Sequence, residues 1–228
     1  MIMKNQIYLD NSATTPLCPP VAERMNELSL SLYGNPSSLH SAGVEAEHAL
    51  TQARREGLSG LGISEFSEKQ LVFCGSGTEA NNLAIFGTAY AKNLKFKPRI
   101  ITTDAEHSSV DEPLLYLERL GFDVVRIPTR GGEVDMQALE SALSAEVIFA
   151  SIMLVNNEIG ALYDVSSAFS LIKERCPAAI THCDAVQGFM KLRFSPKSLK
   201  ADLVTLSAHK IGGPKGVGAL YIDPRIIK

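Results

Sequence analysis

The sequence predicts an α/β fold built on a mostly parallel, seven-stranded sheet with helices on both faces. Three observations lead to this prediction. From residue 70 onwards, short apolar, β-branched runs alternate with segments of helical periodicity, as in βαβ units. Polar residues follow several of these runs directly, where the carboxyl ends of parallel strands would lie. The last run, residues 219–222, returns too soon for a helical crossover, so this strand is predicted to be antiparallel.

The first part of the chain is predicted to be extended and then helical. Residues 1–20 form an N-terminal extended segment, at the end of which Pro19 and Pro20 begin a helix. A polar loop at residues 34–40 leads into a longer helix that ends near Gly60 and Gly62. The apolar face predicted for this longer helix consists of Ala46, Ala49, Leu50, Ala53, Gly57 and Leu61.

The remaining elements complete one domain over residues 21–228, which is long enough to bury a large core. Strands are predicted at 71–74, 99–103, 124–127, 147–151, 180–184, 203–207 and 219–222. Helices are predicted at 78–92, 109–119, 135–143 and 165–174.

Composition is typical of a soluble globular protein. Hydrophobic residues make up 45% of the chain and charged residues 21%, with a formal net charge of −3. A slightly acidic chain offers no basic surface for nucleic acid or for an anionic membrane, so neither is predicted as a partner. The chain has no apolar run of transmembrane length, and residues 1–6 have no apolar signal core. The predicted location is therefore the cytoplasm.

A lysine directly after a predicted strand is the first candidate for chemistry. His209 and Lys210 follow the apolar run 203–206, just before a Gly-Gly-Pro turn. A partly desolvated lysine at a strand end loses its proton readily and can attack a carbonyl to form a Schiff base. A lone lysine in such a loop is more often simply solvated, so the assignment depends on the other motifs.

Two further motifs suggest groups that would act with this lysine. Asp184 ends the run 180–184, and an acid there can keep a ring nitrogen protonated; its alternative role is a helix cap or turn residue. Residues 75–79, Gly-Ser-Gly-Thr-Glu, join a strand to a helix and could offer free N–H groups to a phosphate. The segment matches neither nucleotide-binding pattern, and an ordinary capped helix is the alternative.

Polar residues after the predicted strands should converge, because the carboxyl ends of parallel strands share one rim of a sheet. His107 could stack on an aromatic ring and carry a proton, although a lone loop histidine is usually a surface residue. Asn157 and Gln187 could donate hydrogen bonds to a ligand or could serve only as turn residues. The candidates on this rim are Gly77, Thr78, His107, Asn157, Asp184, Gln187, Ser207, His209 and Lys210.

Seven segments in order carry a resemblance to a known family. They are residues 8–16 (Tyr-Leu-Asp-Asn-Ser-Ala-Thr-Thr-Pro), 34–40, 75–79, 106–107, 155–160 (Val-Asn-Asn-Glu-Ile-Gly), 184–187 and 207–210 (Ser-Ala-His-Lys). Together they resemble the large domain of cysteine desulfurases, a class-V aminotransferase family, in the branch that serves iron–sulfur cluster assembly and tRNA thiolation. The resemblance implies the large domain of a fold-type-I transferase dependent on pyridoxal 5′-phosphate (PLP).

The resemblance also implies roles for the candidates on the rim. The catalytic residues would be Lys210, which binds PLP covalently, His107, which stacks on its ring, and Asp184, which binds its ring nitrogen. Gly77, Thr78, Ser207 and His209 would bind the phosphate, whereas Asn157 and Gln187 would bind the phenolic oxygen or the substrate. The implied reaction converts L-cysteine to L-alanine and passes sulfur to an enzyme cysteine. A homodimer and a sulfur-acceptor or iron–sulfur scaffold protein are the implied partners.

Chains of the resembled family are longer than this one. The resemblance implies that the persulfide-forming cysteine, a substrate-binding arginine and a phosphate-binding threonine follow residue 228, so this chain is expected to be truncated. Two alternatives stay open: a non-catalytic fragment or interaction remnant that keeps the fold, and a related PLP aminotransferase or lyase.

The cysteines of the chain suggest neither a metal site nor a nucleophile. Cys18, Cys74, Cys176 and Cys183 lack metal-ligand spacing, and no metal is predicted. Cys183 is predicted to be a buried, inert thiol and Cys18 to be exposed.

Overall fold

The computed structural model describes residues 7–64, 68–91 and 97–227. Residues 1–6 of the predicted N-terminal segment, position 92 of the predicted helix 78–92, and position 228 lie outside these ranges. The elements described are, in chain order, α1 Pro19–Ser31, α2 Ser41–Gly60, β1 Leu71–Cys74, α3 Gly77–Tyr90, β2 Arg99–Thr103, α4 Ser108–Arg119, β3 Asp123–Ile127, β4 Thr129–Arg130, β5 Glu133–Val134, α5 Met136–Ala142, β6 Val147–Met153, α6 Val165–Arg175, β7 Ile180–Asp184, α7 Pro196–Leu199, β8 Leu203–Ser207 and β9 Gly218–Ile222.

The main sheet has seven strands in the order β1-β9-β8-β7-β6-β2-β3. Strands β8, β7, β6, β2 and β3 run parallel to one another, whereas β9 pairs antiparallel with both β8 and β1. The predicted mostly parallel, seven-stranded sheet with an antiparallel last strand is confirmed. The antiparallel strand lies inside the sheet, between β1 and β8.

Helices cover both faces of the sheet, as predicted. Neighbouring residues of β2 show this directly, because Ile100 and Ile101 belong to two different apolar clusters. The cluster around Ile100 includes α3 and α4 through residues such as Leu114, and the cluster around Ile101 includes α5 and α6 through residues such as Phe169. A parallel sheet that is covered on both faces leaves only its rims for ligands.

The apolar face predicted for α2 lies on the less exposed side of the helix, where Ala46, Ala49, Leu50 and Gly57 are half-buried, and Leu61 just past its end is buried. Its buried residues are Gly43, Thr51 and Leu58, and Ala53 is exposed. The helix contacts the core near its C-terminal end, where Leu58 packs in the apolar cluster and a Cβ on Gly57 would lie 2.6 Å from a methyl group of Leu71. Periodicity identified the helix, but it could not show how little of the helix the sheet covers.

Smaller features complete the description. Strands β4 and β5 form a hairpin that turns at Gly131 and Gly132, both with positive φ, which was not predicted as a strand pair. Within the described ranges, every helix is too short or too polar to cross a bilayer.

Candidate active site

A cavity of about 290 Å³ is lined by residues at and after the carboxyl ends of the parallel strands β6, β7 and β8. All of the site residues predicted from the sequence line it: Gly77, Thr78, His107, Asn157, Asp184, Gln187, Ser207, His209 and Lys210. Residues that were not predicted also line it: Ala13, Ser76, Ser109, Met153, Val155 and Val186. The structure therefore brings the predicted residues together, and it adds part of the N-terminal segment to them.

The N-terminus of α3 forms one corner of the cavity. Ser76 is the N-cap residue, and its hydroxyl accepts a hydrogen bond from Glu79 N at 3.0 Å. The N–H groups of Gly77 and Thr78 occupy the first two helical positions, which have no intrahelical acceptor. This corner can therefore bind an anion through main-chain N–H groups and the helix dipole.

Close packing explains why glycines stand at this corner. A Cβ on Gly77 would lie 3.0 Å from Val186 Cγ2 and 3.3 Å from the Cβ of Ser207. A Cβ on Gly218 of β9 would lie 2.3 Å from the carbonyl carbon of Ser76. The Ser207 hydroxyl is buried beside this corner and has no hydrogen-bond partner. Because an unpaired buried hydroxyl costs stability, Ser207 Oγ together with the helix N-terminus fits the anionic group of a ligand.

Asp184, at the end of β7, is buried and held by fixed donors. Asn81 Nδ2 donates to its Oδ2 at 2.8 Å, and Val186 N donates to its Oδ1 at 3.0 Å. Burial raises the pKa of Asp184 above its usual value, while the two hydrogen bonds and the nearby His107 and Lys210 oppose that rise. A carboxylate held in this way can bind a protonated ring nitrogen.

His107 caps α4 and lies on the same cavity. Its Nδ1 accepts a hydrogen bond from Ser109 N at 3.1 Å and lies 2.8 Å from Ser109 Oγ. The preceding Glu106 fixes the turn to the sheet, because its Oε1 accepts hydrogen bonds from Thr103 Oγ1 at 2.7 Å and from Met153 N at 2.9 Å. Burial raises the pKa of Glu106 to about 8, so this side chain is mostly neutral at pH 7.

Lys210 ends the 3₁₀ turn Ala208–Lys210 and contacts the N-terminal segment. Its Nζ donates hydrogen bonds to Ser12 O at 2.5 Å and to Ala13 O at 2.8 Å. Burial, followed by the nearby Lys191, lowers the pKa of Lys210 from its usual value, which favours the nucleophilic neutral amine.

Residues 10–18, here called the N-terminal strap, are tied to the lysine turn at several points. Thr15 N donates to His209 O at 2.8 Å, and Thr15 Oγ1 accepts a hydrogen bond from Gly212 N at 2.7 Å. Cys18 N donates to Gly212 O at 2.9 Å. The strap therefore forms the outer wall of the cavity beside Lys210.

The two predicted amide residues lie on the cavity in different settings. Asn157 follows Asn156, whose Oδ1 accepts hydrogen bonds from Glu158 N and Ile159 N and so fixes the loop. The amide of Gln187 is already engaged, because its Nε2 donates to Ser12 O at 2.8 Å and its Oε1 accepts from Lys191 Nζ at 3.0 Å. Because the Nε2 amide carries two hydrogens, Gln187 can donate the second one to a ligand while it keeps its bond to the strap.

No cysteine among the described residues lines the cavity. Cys183 is fully buried behind Asp184, and burial raises its pKa well above the usual value, so it is a poor nucleophile. Cys74 and Cys176 are buried as well, and Cys18 is exposed. The predictions of a buried Cys183 and an exposed Cys18 are confirmed.

Several polar residues of the site were missed from the sequence. Asn81 lies behind the rim on the buried face of α3, Ser109 lines the cavity from α4, and Glu106 lies beneath the turn that carries His107. One signal was available for Asn81, because it stands between the apolar residues Ala80 and Ala84 on the buried face of a helix. A buried asparagine at such a position requires hydrogen-bond partners.

The site combines an anion-binding corner, a buried carboxylate, a histidine and a lysine of lowered pKa. These groups fit a ligand that has an anionic group, a ring nitrogen and a carbonyl carbon. The lysine can attack the carbonyl, and the carboxylate can bind the protonated ring nitrogen.

Residues 7–228 match the family model described as aminotransferase class-V. Cysteine desulfurase IscS of Dictyoglomus turgidum is 42% identical over 221 residues, which cover 96% of this chain and 55% of the relative. Cysteine desulfurase IscS of Pectobacterium atrosepticum is 44% identical over 230 residues, with 98% and 55% covered. The chain therefore spans about 55% of the length of these curated relatives.

Solved structures give the same picture. The chain superposes on a NifS-like protein with a TM-score of 0.91 at 36% sequence identity, covering 97% of this chain and 60% of that protein. It superposes on SspA in complex with cysteine with a TM-score of 0.88 at 33% identity, covering 95% and 61%.

Proposed function

Because the chain belongs to the class-V aminotransferase family, we propose that it is the PLP-binding portion of a cysteine desulfurase. The observation that carries this proposal is the convergence of Asp184, Lys210 and the N-terminus of α3 on one cavity. We assign residues 21–228 to the PLP-binding large domain and residues 1–20 to an N-terminal segment.

The residues of the cavity suit the three polar parts of PLP. The N–H groups of Gly77 and Thr78 would bind its phosphate together with the unpaired hydroxyl of Ser207 and the ring of His209. Asp184 would bind the ring nitrogen, and Lys210 would hold the cofactor covalently. When bound, PLP supplies an electron sink for negative charge on the carbon that carries the substrate amino group.

Proton movement would depend on groups with different surroundings. Lys210, released by the substrate amine, would take a proton from the substrate Cα, and the burial that lowers its pKa favours the neutral amine needed for this step. His107 would lie on the cofactor ring and donate or accept a proton from the other side of the site. Asn157 and Gln187 would orient the substrate or the phenolic oxygen of the cofactor, and Gln187 would use the second hydrogen of its Nε2 to do so.

L-Cysteine is the proposed substrate and L-alanine the proposed product. Two of the similar proteins are named cysteine desulfurase IscS, and a similar solved structure is titled as a complex with cysteine. Because no cysteine of the described residues lines the cavity, the sulfur would pass to a thiolate that another segment or chain brings to it. A cytoplasmic homodimer that delivers sulfur to an acceptor or iron–sulfur scaffold protein is the proposed setting.

Covalent trapping tests the cofactor assignment. The purified chain is incubated with PLP, reduced with borohydride, digested and mapped by mass spectrometry. We expect the pyridoxyl group on Lys210, and we expect Lys210→Arg to abolish both the label and the visible absorbance of the bound cofactor. A label on the neighbouring Lys191 or on the exposed Lys215 in place of Lys210 would refute the assignment.

Substrate analysis separates the proposed reaction from that of a related aminotransferase or lyase. L-Cysteine is added to the PLP-loaded chain together with a dithiol as sulfur acceptor, and products are identified by mass spectrometry. Alanine together with sulfide supports a desulfurase. A keto acid as the main product would contradict it.

A further inference from the structure

A buried chain of hydrogen bonds joins Asp184 to His107 behind the cavity. Asn81 Nδ2 donates to Asp184 Oδ2 at 2.8 Å and to Ser109 Oγ at 2.8 Å, and Ser109 Oγ lies 2.8 Å from His107 Nδ1. Asn81 is completely buried, and Asp184 and Ser109 are nearly so. The connection spans α3, α4 and β7, so three separate elements meet at this point.

The chemistry of the partners fixes the direction of every proton in this chain. A backbone N–H can only donate, so the hydrogen bond from Ser109 N makes His107 Nδ1 an acceptor. Because Nδ1 is an acceptor, the Ser109 hydroxyl donates its proton to Nδ1 and accepts from Asn81 through a lone pair. Asn81 must turn its NH₂ group toward Asp184 and Ser109, because its carbonyl oxygen, which has no partner, would meet the carboxylate in the flipped orientation.

We propose that Asn81 and Ser109 are positioning residues that connect Asp184 to His107, fixing Asp184 as an acceptor and His107 as the neutral ring protonated on Nε2. The functional part of this inference rests on the proposed function, in which Asp184 and His107 act on the same bound molecule. Neither Asn81 nor Ser109 has to touch that molecule. Each acts through the group that it holds.

The arrangement has a definite chemical consequence. Protonation of Asp184 on Oδ2 would place two donors against each other, so Asn81 favours the ionised carboxylate, and its hydrogen bond opposes the rise that burial causes in the pKa of Asp184. A proton on His107 Nδ1 would meet the N–H of Ser109, which can only donate. The connected hydrogen bonds therefore stabilise the ionised carboxylate of Asp184 at one end and the ring of His107 without a proton on Nδ1 at the other.

Nuclear magnetic resonance on the chain without added cofactor tests the connection directly. Carboxyl ¹³C signals follow the ionisation of Asp184, and imidazole ¹⁵N signals report the tautomer of His107, with Asp184→Asn and His107→Gln used for assignment. The other titratable groups that face Asp184 are His107, Lys210, Glu106 and Cys183, and all of them stay unchanged in the Asn81, Ser109 and Asn82 variants that are compared.

We expect Asn81→Ala to move the Asp184 titration to higher pH and also to shift the His107 Nδ1 signal, although Asn81 does not contact His107. Ser109→Ala should shift both signals as well, whereas Ser109→Thr keeps a hydroxyl and should restore them. Asn82→Ala is the matched control, because Asn82 is the next residue of α3 and its side chain bonds only to Thr78 O in the described structure. It should leave both signals in place.

Two results would overturn the inference: a His107 ring protonated on Nδ1 in the unmodified chain, or an unchanged His107 Nδ1 signal in both Asn81→Ala and Ser109→Ala. If Asn81→Ala does not fold, the comparison of Ser109→Ala with Ser109→Thr tests the connection alone. None of these measurements uses PLP, so failure of the proposed function leaves them interpretable. In the PLP-loaded chain, Asn81→Ala should slow exchange of the substrate Cα proton roughly 10- to 100-fold, the worth of one charge-assisted hydrogen bond, while borohydride labelling of Lys210 persists.

Discussion

Asp184 and Lys210 face the same cavity, but the protein holds them by different means. Asp184 ends a central strand and is bound by a buried side chain, Asn81, and by a main-chain N–H group. Lys210 lies on a 3₁₀ turn, and its ammonium is bound by the carbonyl oxygens of Ser12 and Ala13 in the N-terminal strap. The inner wall is therefore part of the core, whereas the outer wall is a surface segment.

The difference matches the chemistry proposed for the two groups. A group that must keep one charge throughout a reaction benefits from burial among fixed donors, because these donors are already oriented for that charge. A lysine that must bind the cofactor, release it and move a proton has to change its position. It benefits from acceptors on a surface segment, which hold its ammonium without fixing it in the core. Four predictions test this comparison, beginning with the largest expected effect.

Replacing Asp184 should have the largest effect on chemistry and little effect on cofactor attachment. In PLP-loaded Asp184→Asn, exchange of the substrate Cα proton in deuterated solvent should fall by about 100-fold or more, the usual contribution of a proton-handling group. Borohydride labelling of Lys210 should persist. Asp135→Asn is the matched control, because Asp135 caps α5 and asparagine caps a helix equally well. Unchanged exchange in Asp184→Asn would remove the carboxylate from the mechanism.

Glu106, beneath the inner wall, should make the folded protein less stable as the pH rises from acid to neutral values. Its folded-state pKa of about 8 lies above the usual value of 4.5, so the unfolded chain loses this proton first as pH rises. The free energy of unfolding should therefore fall between pH 4.5 and 8, by on the order of a few kcal/mol for this group. Glu106→Gln should flatten that fall in urea unfolding curves measured at pH 5, 6.5 and 8. Parallel pH profiles for the two proteins would contradict the assignment of a neutral Glu106.

Removing the lysine ammonium should loosen the outer wall alone. Lys210→Met loses the hydrogen bonds to Ser12 O and Ala13 O, so amide hydrogen exchange in the N-terminal strap should speed up roughly tenfold, as expected for hydrogen bonds of a charged donor. Lys215→Met, which changes an exposed lysine in the loop that follows this turn, is the control. The free energy of unfolding should stay nearly constant in both lysine variants. If Lys210→Met speeds up amide exchange in β7 as much as in the strap, the two walls are not separate.

The smallest effect is expected from Thr15, which ties the strap to the lysine turn. Thr15→Val loses the hydroxyl that donates to His209 O and accepts from Gly212 N, at a cost of about 1 kcal/mol. Exchange of the Gly212 amide should speed up severalfold while exchange in β7 does not change. Native-state hydrogen exchange measured by mass spectrometry resolves the two segments.

Much of the sheet and of the rim could be predicted because the signals are local. Each parallel strand is a short β-branched run, and polar residues such as Asp184 follow these runs directly. Because parallel strands share a rim, the convergence of the predicted residues followed from topology alone. The structure confirms the strands and brings those residues together around one cavity.

Other features depend on contacts that no local pattern contains. The Asn81 side chain bonds to Ser109 and Asp184, which belong to distant parts of the chain. The position of β9 between β1 and β8 depends on the whole sheet. The short connection before this strand predicted only that it runs antiparallel. The sequence predicted the strap as part of an extended segment, but its hydrogen bonds to the lysine turn could be found only in the folded structure.

The position of β9 also dictates an order of events during synthesis. Among the described strands, β1 pairs only with β9, with Cys74 opposite Gly218, so the strand that leads into the anion-binding corner has no partner until β9 has left the ribosome. The parallel core from β3 to β8 can assemble earlier, whereas β1 must wait with unpaired edges through most of translation. A nascent chain halted before residue 218 would therefore have Asp184 in place and no completed corner for an anion.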